Sequence, residues 1–295
     1  MIDGGFDRLV DQAWPAIHRT DADGWVLRAS GGVTKRANSV LPLGEQDDLQ
    51  AAVERAEGFY AERGLPCVFS IGGGATPGLD GVLEARGYRR VDPTLVMTAD
   101  LPPDEAGKHG SGDHEVRSHE NGAGEHGSGD HEARGHGNGA GGRGSEKPGA
   151  WRRGDAEHGT AERAARVELA GEPSRAWLDT WWSVDGRGGA DGLETAARIL
   201  TGVPATYASL GREAVGRGVE QGEWFGIYSM AVLPWERRRG HGTRVLRALL
   251  SHARGRRGQG TQRAYLVVVE SNTAATTLYE RHGFTATGRY HYRVR

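Results

Sequence analysis

Arg237-Arg238-Arg239-Gly240-His241-Gly242-Thr243 is the stretch on which the reading of this chain turns. An apolar run, Phe225-Gly226-Ile227-Tyr228-Ser229-Met230-Ala231-Val232, precedes it, and an amphipathic run follows. These patterns imply a strand, a basic glycine loop and a helix, in that order. A helix start exposes unpaired N–H groups and the positive end of the helix dipole. Glycines let a ligand approach that backbone, and arginines add charge and forked donors. The stretch therefore reads as a pyrophosphate cradle. It lacks the Lys-Ser/Thr ending of a Walker loop and the full Gly-x-Gly-x-x-Gly spacing of a dinucleotide turn. Both absences argue against an NTPase or a Rossmann unit.

A second motif lies further on. Arg263-Ala264-Tyr265-Leu266-Val267-Val268-Val269 reads as a buried strand. It runs into Glu270-Ser271-Asn272-Thr273-Ala274-Ala275-Thr276-Thr277-Leu278-Tyr279-Glu280-Arg281-His282-Gly283-Phe284. Ser271 or Asn272 suits an N-cap and Gly283 a helix stop. Ala275, Leu278, Tyr279 and His282 fall on one face of the short helix between them.

Together, Arg237-x-x-Gly240-x-Gly242 and Asn272-x-x-Ala275-x-x-Leu278-Tyr279-x-x-x-Gly283-Phe284 resemble the two cofactor motifs of the GNAT superfamily of acyl-CoA-dependent N-acetyltransferases. The resemblance covers roughly residues 160–295. It implies an α/β fold in which a mixed, mostly antiparallel sheet is flanked by helices.

The chain has 295 residues, enough for two ordinary domains, and a net charge of −2, which creates no general attraction for polyanions. A single cysteine, Cys67, excludes an internal disulfide and fits a reducing cytoplasm. The N-terminus shows no secretory pattern, and no run approaches the roughly 20 apolar residues of a membrane span. Residues 104–160 are dominated by Gly, His, Glu, Ser and Asn. Lys108-His109-Gly110-Ser111-Gly112-Asp113-His114-Glu115 recurs as Glu125-His126-Gly127-Ser128-Gly129-Asp130-His131-Glu132. Such a segment cannot bury a core and is expected to be a disordered linker. Its six histidines between 109 and 136 show no spacing that favours a metal geometry, so no metal is expected.

This divides the chain into 1–103, 104–160 and 161–295. The first part has its own order. Phe6 to His18 reads as a helix, and Trp25–Arg28 and Thr34–Leu41 as strands. Gln46–Arg63 reads as a helix, Pro66–Ile71 as a strand, Leu79–Arg86 as a short helix and Thr94–Leu101 as a strand. Val82-Leu83-Glu84-Ala85-Arg86-Gly87-Tyr88 parallels Leu278 to Phe284, with Leu83 in the place of Tyr279 and Thr76 in that of Asn272. The loop Leu41 to Asp48 is acidic where the later domain has arginines, and carboxylates there would repel a pyrophosphate. The first part thus resembles a degenerate GNAT unit, as in actinobacterial tandem GNAT proteins.

The resemblance also implies site residues. Two strands of the second domain should splay apart. The acyl-CoA arm would then lie against Met230, Ala231 and Val232, and a backbone N–H there would polarise the thioester carbonyl. Arg237, Arg238, Arg239, Gly240, His241, Gly242 and Thr243 would hold the pyrophosphate, His241 as a loop filler, and Asn272 would bond the cofactor arm or nearby backbone. Tyr279 is the expected acid for the departing sulfur. An amine acceptor near pH 7 is mostly protonated and needs a base; Glu223 and Glu270 are the candidates. The closing segment Thr285 to Arg293 reads as a hairpin whose Tyr290, His291 and Tyr292 could line the acceptor pocket.

The expected activity is acetyl-CoA-dependent transfer to a primary amine of a small molecule or a protein lysine. A mycothiol-synthase-like enzyme is one alternative, and a non-catalytic acyl-CoA-binding or sensor protein another. Eight arginines between 237 and 257 form a basic patch. No aromatic platform is interleaved with them, which disfavours nucleic acid. The chain could be a monomer or a homodimer.

Overall fold

The computed structural model describes residues 5–102, 166–186 and 190–295. The expected linker falls outside the described residues. In chain order the helices are α1 (Gly5–Ala13), α2 (Leu49–Ala61), α3 (Leu79–Ala85), α4 (Arg175–Asp185), α5 (Ala190–Leu200), α6 (His241–Gly255) and α7 (Thr273–Glu280). The strands are β1 (His18–Ala22), β2 (Trp25–Ala29), β3 (Val40–Pro42), β4 (Val68–Ile71), β5 (Arg89–Asp100), β6 (Glu168–Ala170), β7 (Thr206–Leu210), β8 (Ala214–Gln221), β9 (Trp224–Val232), β10 (Arg263–Val269) and β11 (Thr285–Val294).

The fold is the expected mixed sheet flanked by helices, but the two repeats share one sheet. Its order is β1-β2-β3-β4-β11-β5-β10-β9-β8-β7-β6. Among the described strands only β3–β4 and β9–β10 pair in parallel. Each parallel pair is joined by a helix, α2 or α6, as parallel neighbours require. The units β3-α2-β4-α3-β5 and β9-α6-β10-α7-β11 repeat one another. Their last strands are exchanged: β5 pairs with β10 of the second unit, and β11 pairs with β4 of the first and with β5.

Several local expectations are corrected. The closing segment is one strand, not a hairpin. Gly288 sits at a register shift against β5 instead of in a turn, and β4 and β5 supply partners on both sides. α1 stops at Ala13, because Pro15 cannot continue the helix, and His18 already belongs to a strand. Lys35–Ala37 is a 3-10 turn, so the strand read from Thr34 shrinks to Val40–Pro42.

The two sheet faces bury different cores. One face carries α1, α4 and α5 over Trp14, Trp177, Trp181, Tyr207, Tyr228 and Tyr265. The other carries α6 and α7 over Ile227, Leu266, Phe284 and the helix residues Val245, Leu246, Leu249 and Leu250. Alternation along β9 and β10 accounts for the split: Ile227 and Leu266 face one way, Tyr228 and Tyr265 the other. Each of the four α6 side chains is buried, a gain of about 1.5–3 kcal/mol apiece.

Candidate active site

β9 and β10 start side by side and then part. Their register runs from Trp224↔Arg263 to Ile227↔Leu266 and stops there. Beyond that point β9 stays with β8 as far as Val232↔Ala214, and β10 stays with β5 as far as Val269↔Thr94. Tyr228–Val232 and Val267–Val269 therefore face each other without ladder bonds. The departure has a local cause. Ser229 takes φ 52°, and the β8–β9 register shifts between Val215 and Arg217. A Cβ at Gly216 would stand 2.6 Å from the Met230 sulfur and 2.8 Å from Val245 Cγ1, so this bulge requires glycine.

β9 leads into a 3-10 turn at Pro234–Glu236 and then the arginine loop. Arg238 (φ 67°) and Gly240 (φ 79°) are left-handed, which turns the chain sharply into α6. No side chain caps that helix, so its first N–H groups stay available. A Cβ at Gly242 would lie 3.4 Å from Leu278 and 3.5 Å from Val232, so the loop, α7 and the end of β9 meet closely at this glycine. Arg237, Arg238 and Arg239 are exposed. Arg237 Nε donates to the Val232 carbonyl (3.3 Å), and Arg239 pairs with Glu236 (2.9 Å). His241 Nε2 meets the same Glu236 oxygen at 3.3 Å, which fits its reading as a loop residue.

Tyr279 is 7% exposed and shares a cluster with Met230, Val232, Ala275, Leu278 and Phe284. Burial, helped by the Asp185 carboxylate, pushes its hydroxyl up to about 12. It therefore keeps its proton at neutral pH and can give it away only to a strongly basic partner. Asn272 caps α7, its Oδ1 accepting the Ala275 N–H at 3.2 Å. The two base candidates are far apart. Glu223 is exposed in the β8–β9 turn, where its carbonyl accepts N–H bonds from Gln262 and Arg263. From there to the Ile227 rung is about 13 Å along the strand, so the structure does not bring it to Tyr279. Glu270 follows β10 at the divergent end, and its carboxylate meets Arg289 Nε at 3.5 Å.

The opposite sheet face holds a cavity of about 340 Å³. Its lining includes Asp7 and Val10 of α1, Arg28, Arg36, and Tyr290 and Tyr292 of β11. The expectation for β11 is thus split by alternation. Tyr290 and Tyr292 face the cavity, whereas His291 turns to the other side and meets Asp80 of α3 at 2.9 Å. The sequence reading missed Asp7, Arg28 and Arg36. No spacing signals them: the three line one cavity with β11 only in the folded chain, and Arg36 Nη2 meets Tyr290 Oη, 254 positions away, at 3.5 Å.

The corresponding places in the first unit are filled. Asp48 caps α2, accepting from the Gln50 and Ala51 N–H groups. The Thr76 N–H donates to the Pro42 carbonyl at the end of β3 (2.9 Å), and the Thr76 hydroxyl accepts from Trp25 Nε1 (2.8 Å).

Residues 170–284 match the family model described as acetyltransferase (GNAT) family. Residues 7–119 match one described as probable histone acetyltransferase Rv0428c C-terminal. The chain is 26% identical over 295 residues to an uncharacterized N-acetyltransferase, YobR, of Bacillus subtilis, covering 98% of this chain and 97% of that one. Among solved structures it resembles a GCN5-related N-acetyltransferase from Kribbella flavida (TM-score 0.57, 13% identity, covering 99% and 95%). It also resembles a tandem GNAT protein from the clavulanic acid biosynthesis pathway (TM-score 0.52, 12% identity, covering 98% and 86%). No described helix is long and apolar enough to cross a membrane.

Proposed function

We propose that this chain, whose residues 170–284 match the GNAT acetyltransferase model and whose residues 7–119 match the Rv0428c C-terminal model, is an N-acetyltransferase that moves an acetyl group from acetyl-CoA to a primary amine of a small molecule or a protein lysine. One observation carries the reading: the gap between β9 and β10 opens toward the uncapped N-terminus of α6. The residues fit such a donor. On the side facing β10 the strand backbone at Met230, Ala231 and Val232 has no ladder partner, which suits an amide-bearing arm, and exposed arginines at a free helix start suit a pyrophosphate.

When bound, acetyl-CoA supplies the activated acetyl thioester and a thiolate that leaves. Backbone N–H groups at the bulge would hold the thioester oxygen and stabilise its developing charge as the amine nitrogen bonds the carbonyl carbon and the C–S bond breaks. Tyr279, protonated across the physiological range, hands its hydroxyl proton to the sulfur. Glu270 draws the ammonium proton through water, standing beside Arg289 at the cavity rim. General acid and general base each contribute typically about 10²–10⁴-fold. The acceptor enters from the α1 side, where the cavity lies. Division of the chain at 1–103, 104–160 and 161–295 belongs to the same reading, with the first part as a structural partner and not a second catalyst.

Calorimetric titration with acetyl-CoA tests it. Arg238 forms no ion pair among the described residues, so Arg238→Glu removes charge without stranding a partner. Wild type should bind one acetyl-CoA per chain, and the variant should lose most of that affinity. Equal binding by both would remove the arginine loop from the site.

A further inference from the structure

The cavity beneath β11 has a charge pattern that selects among acceptors. Four charged residues line it: Asp7, Arg28, Arg36 and Arg289. Every nitrogen of the Arg28 side chain is bonded, Nη1 to Asp11 (3.0 Å), Nε to the Ser39 carbonyl (2.9 Å) and Nη2 to the Ser39 hydroxyl (2.7 Å). Arg289 meets Glu270. Asp7 accepts the Gly74 N–H, and burial pushes its carboxyl upward, toward the neutral form.

Arg36 differs from these. Its guanidinium lies over the rings of Trp14 (5.3 Å) and Tyr228 (5.6 Å). Among the described residues its one hydrogen bond is the 3.5 Å contact with Tyr290, and its buried Nε has no partner. No carboxylate pairs with it among the described residues. A second cation shares the same ring. Arg217 is 0% exposed, lies 5.8 Å from the Trp14 ring and leaves Nε and Nη2 without partners. A guanidinium removed from water without a counter-charge is unfavourable. Two of them around one indole make this face strongly attractive to an anion and repellent to a bare ammonium.

Position ties this charge to the chemistry. Tyr228, under Arg36, is the first β9 residue past the last β9–β10 rung. A small molecule anchored on Arg36 therefore has its remaining atoms beside the divergence. We propose that Arg36 seats a carboxylate of the acceptor, so that the amine acetylated belongs to a small, amino-acid-like molecule and not to a lysine side chain in a protein. The planar fork of Arg36 matches a carboxylate, and the cavity is of small-molecule size. This rests on the transferase reading and sharpens its acceptor.

The test uses the full chain with acetyl-CoA and reads release of CoA thiol. The panel is a set of L-amino acids, each matched with its amide and its decarboxylated amine, plus a lysine peptide with blocked ends. We expect at least one acid to be used about 100-fold better than its amide and amine, because losing the anion leaves the half-buried Arg36 guanidinium unpaired. Arg36→Gln should raise KM for that acid about 100-fold and level acid with amide, while calorimetric affinity for acetyl-CoA is kept. Arg36→Lys, which keeps the charge without the fork, should fall between; if Arg36→Gln does not fold, that variant and the wild-type acid-to-amide ratio carry the test. Amides, amines or the blocked lysine peptide used as well as the acids would overturn the proposal. So would a protein that binds acetyl-CoA and uses no acid of the panel. Failure of the wild type to bind acetyl-CoA would instead strike the transferase reading and take this inference with it.

Discussion

The two β-α-β-α-β units of this chain have the same path and opposite fates at the same place. In the second unit the helix after the parallel strand starts bare, at a left-handed Gly240 preceded by three exposed arginines. In the first, Asp48 occupies the start of α2 and takes its N–H groups. The carboxylate does internally what an anionic ligand would do, and it also repels one. The gap after the strand pair differs in the same sense. Beyond Ile227 the strands of the second unit diverge unbridged. In the first unit Thr76 ties its own N–H to the Pro42 carbonyl and its hydroxyl to Trp25. One unit satisfies its backbone with itself, whereas the other leaves the facing strands unbridged. What separates them is a handful of polar residues at fixed points of a common frame.

That contrast can be broken from either side. The largest effect is expected at Tyr279. Replacing it with Phe keeps the ring packed against Phe284 but removes the proton, and kcat should fall by about 10²–10⁴-fold with KM for acetyl-CoA little changed. Steady-state kinetics checks this, and unchanged turnover would return Tyr279 to a packing role.

On the scaffold side, Thr76→Val should destabilise the protein by about 1–3 kcal/mol, because the indole N–H of Trp25 loses its shorter hydrogen-bond partner in a buried setting. Urea denaturation measures it, and affinity for acetyl-CoA should not move. Asp48→Ala is a finer probe. It should cost about 1 kcal/mol as a lost cap, yet calorimetry should still count one acetyl-CoA per chain, since Thr76 keeps the gap bridged. A second binding event in Asp48→Ala would mean that the cap alone closes the first unit.

The smallest effect concerns the strand exchange. Asp80 of α3 bonds Arg293 Nε (2.6 Å) and His291 Nε2 (2.9 Å) of β11, and the Arg293 hydrogen bond, with His291 second, holds its carboxyl down to about 2. A carboxyl depressed on folding adds stability above its unfolded value, near 3.9. That contribution is lost as pH falls through about 2. Acid unfolding followed by circular dichroism should show this loss between roughly pH 4 and pH 2, and Asp80→Asn should flatten it. The side chain is half exposed, so the change is small beside the other three.

Much of the second unit was legible beforehand. The strand at Arg263–Val269, the helix after the arginine loop and a cap at Ser271 or Asn272 all follow from local pattern and capping chemistry, which act over a few residues; the structure gives the cap to Asn272. The acidic loop ending at Asp48 was also visible, and its last carboxylate caps α2. The closing segment was misread because Gly288 signals a turn and a bulge alike, and only the presence of β4 and β5 on either side decides between them. The place of Glu223 is another case. The residue is a carboxylate at the edge of the central strand, and sequence does not tell which end of that strand meets Tyr279.

By itself the sequence determined the two repeated units, the phosphate-like loop and the tyrosine helix, because periodicity, glycine placement and capping are properties of neighbours along the chain. Tertiary structure alone decided the exchange of β5 and β11, and with it the cavity that joins α1, Arg36 and Tyr290. Those contacts link residues more than 250 positions apart, and their energy comes from burial and pairing that exist only once both units share one sheet.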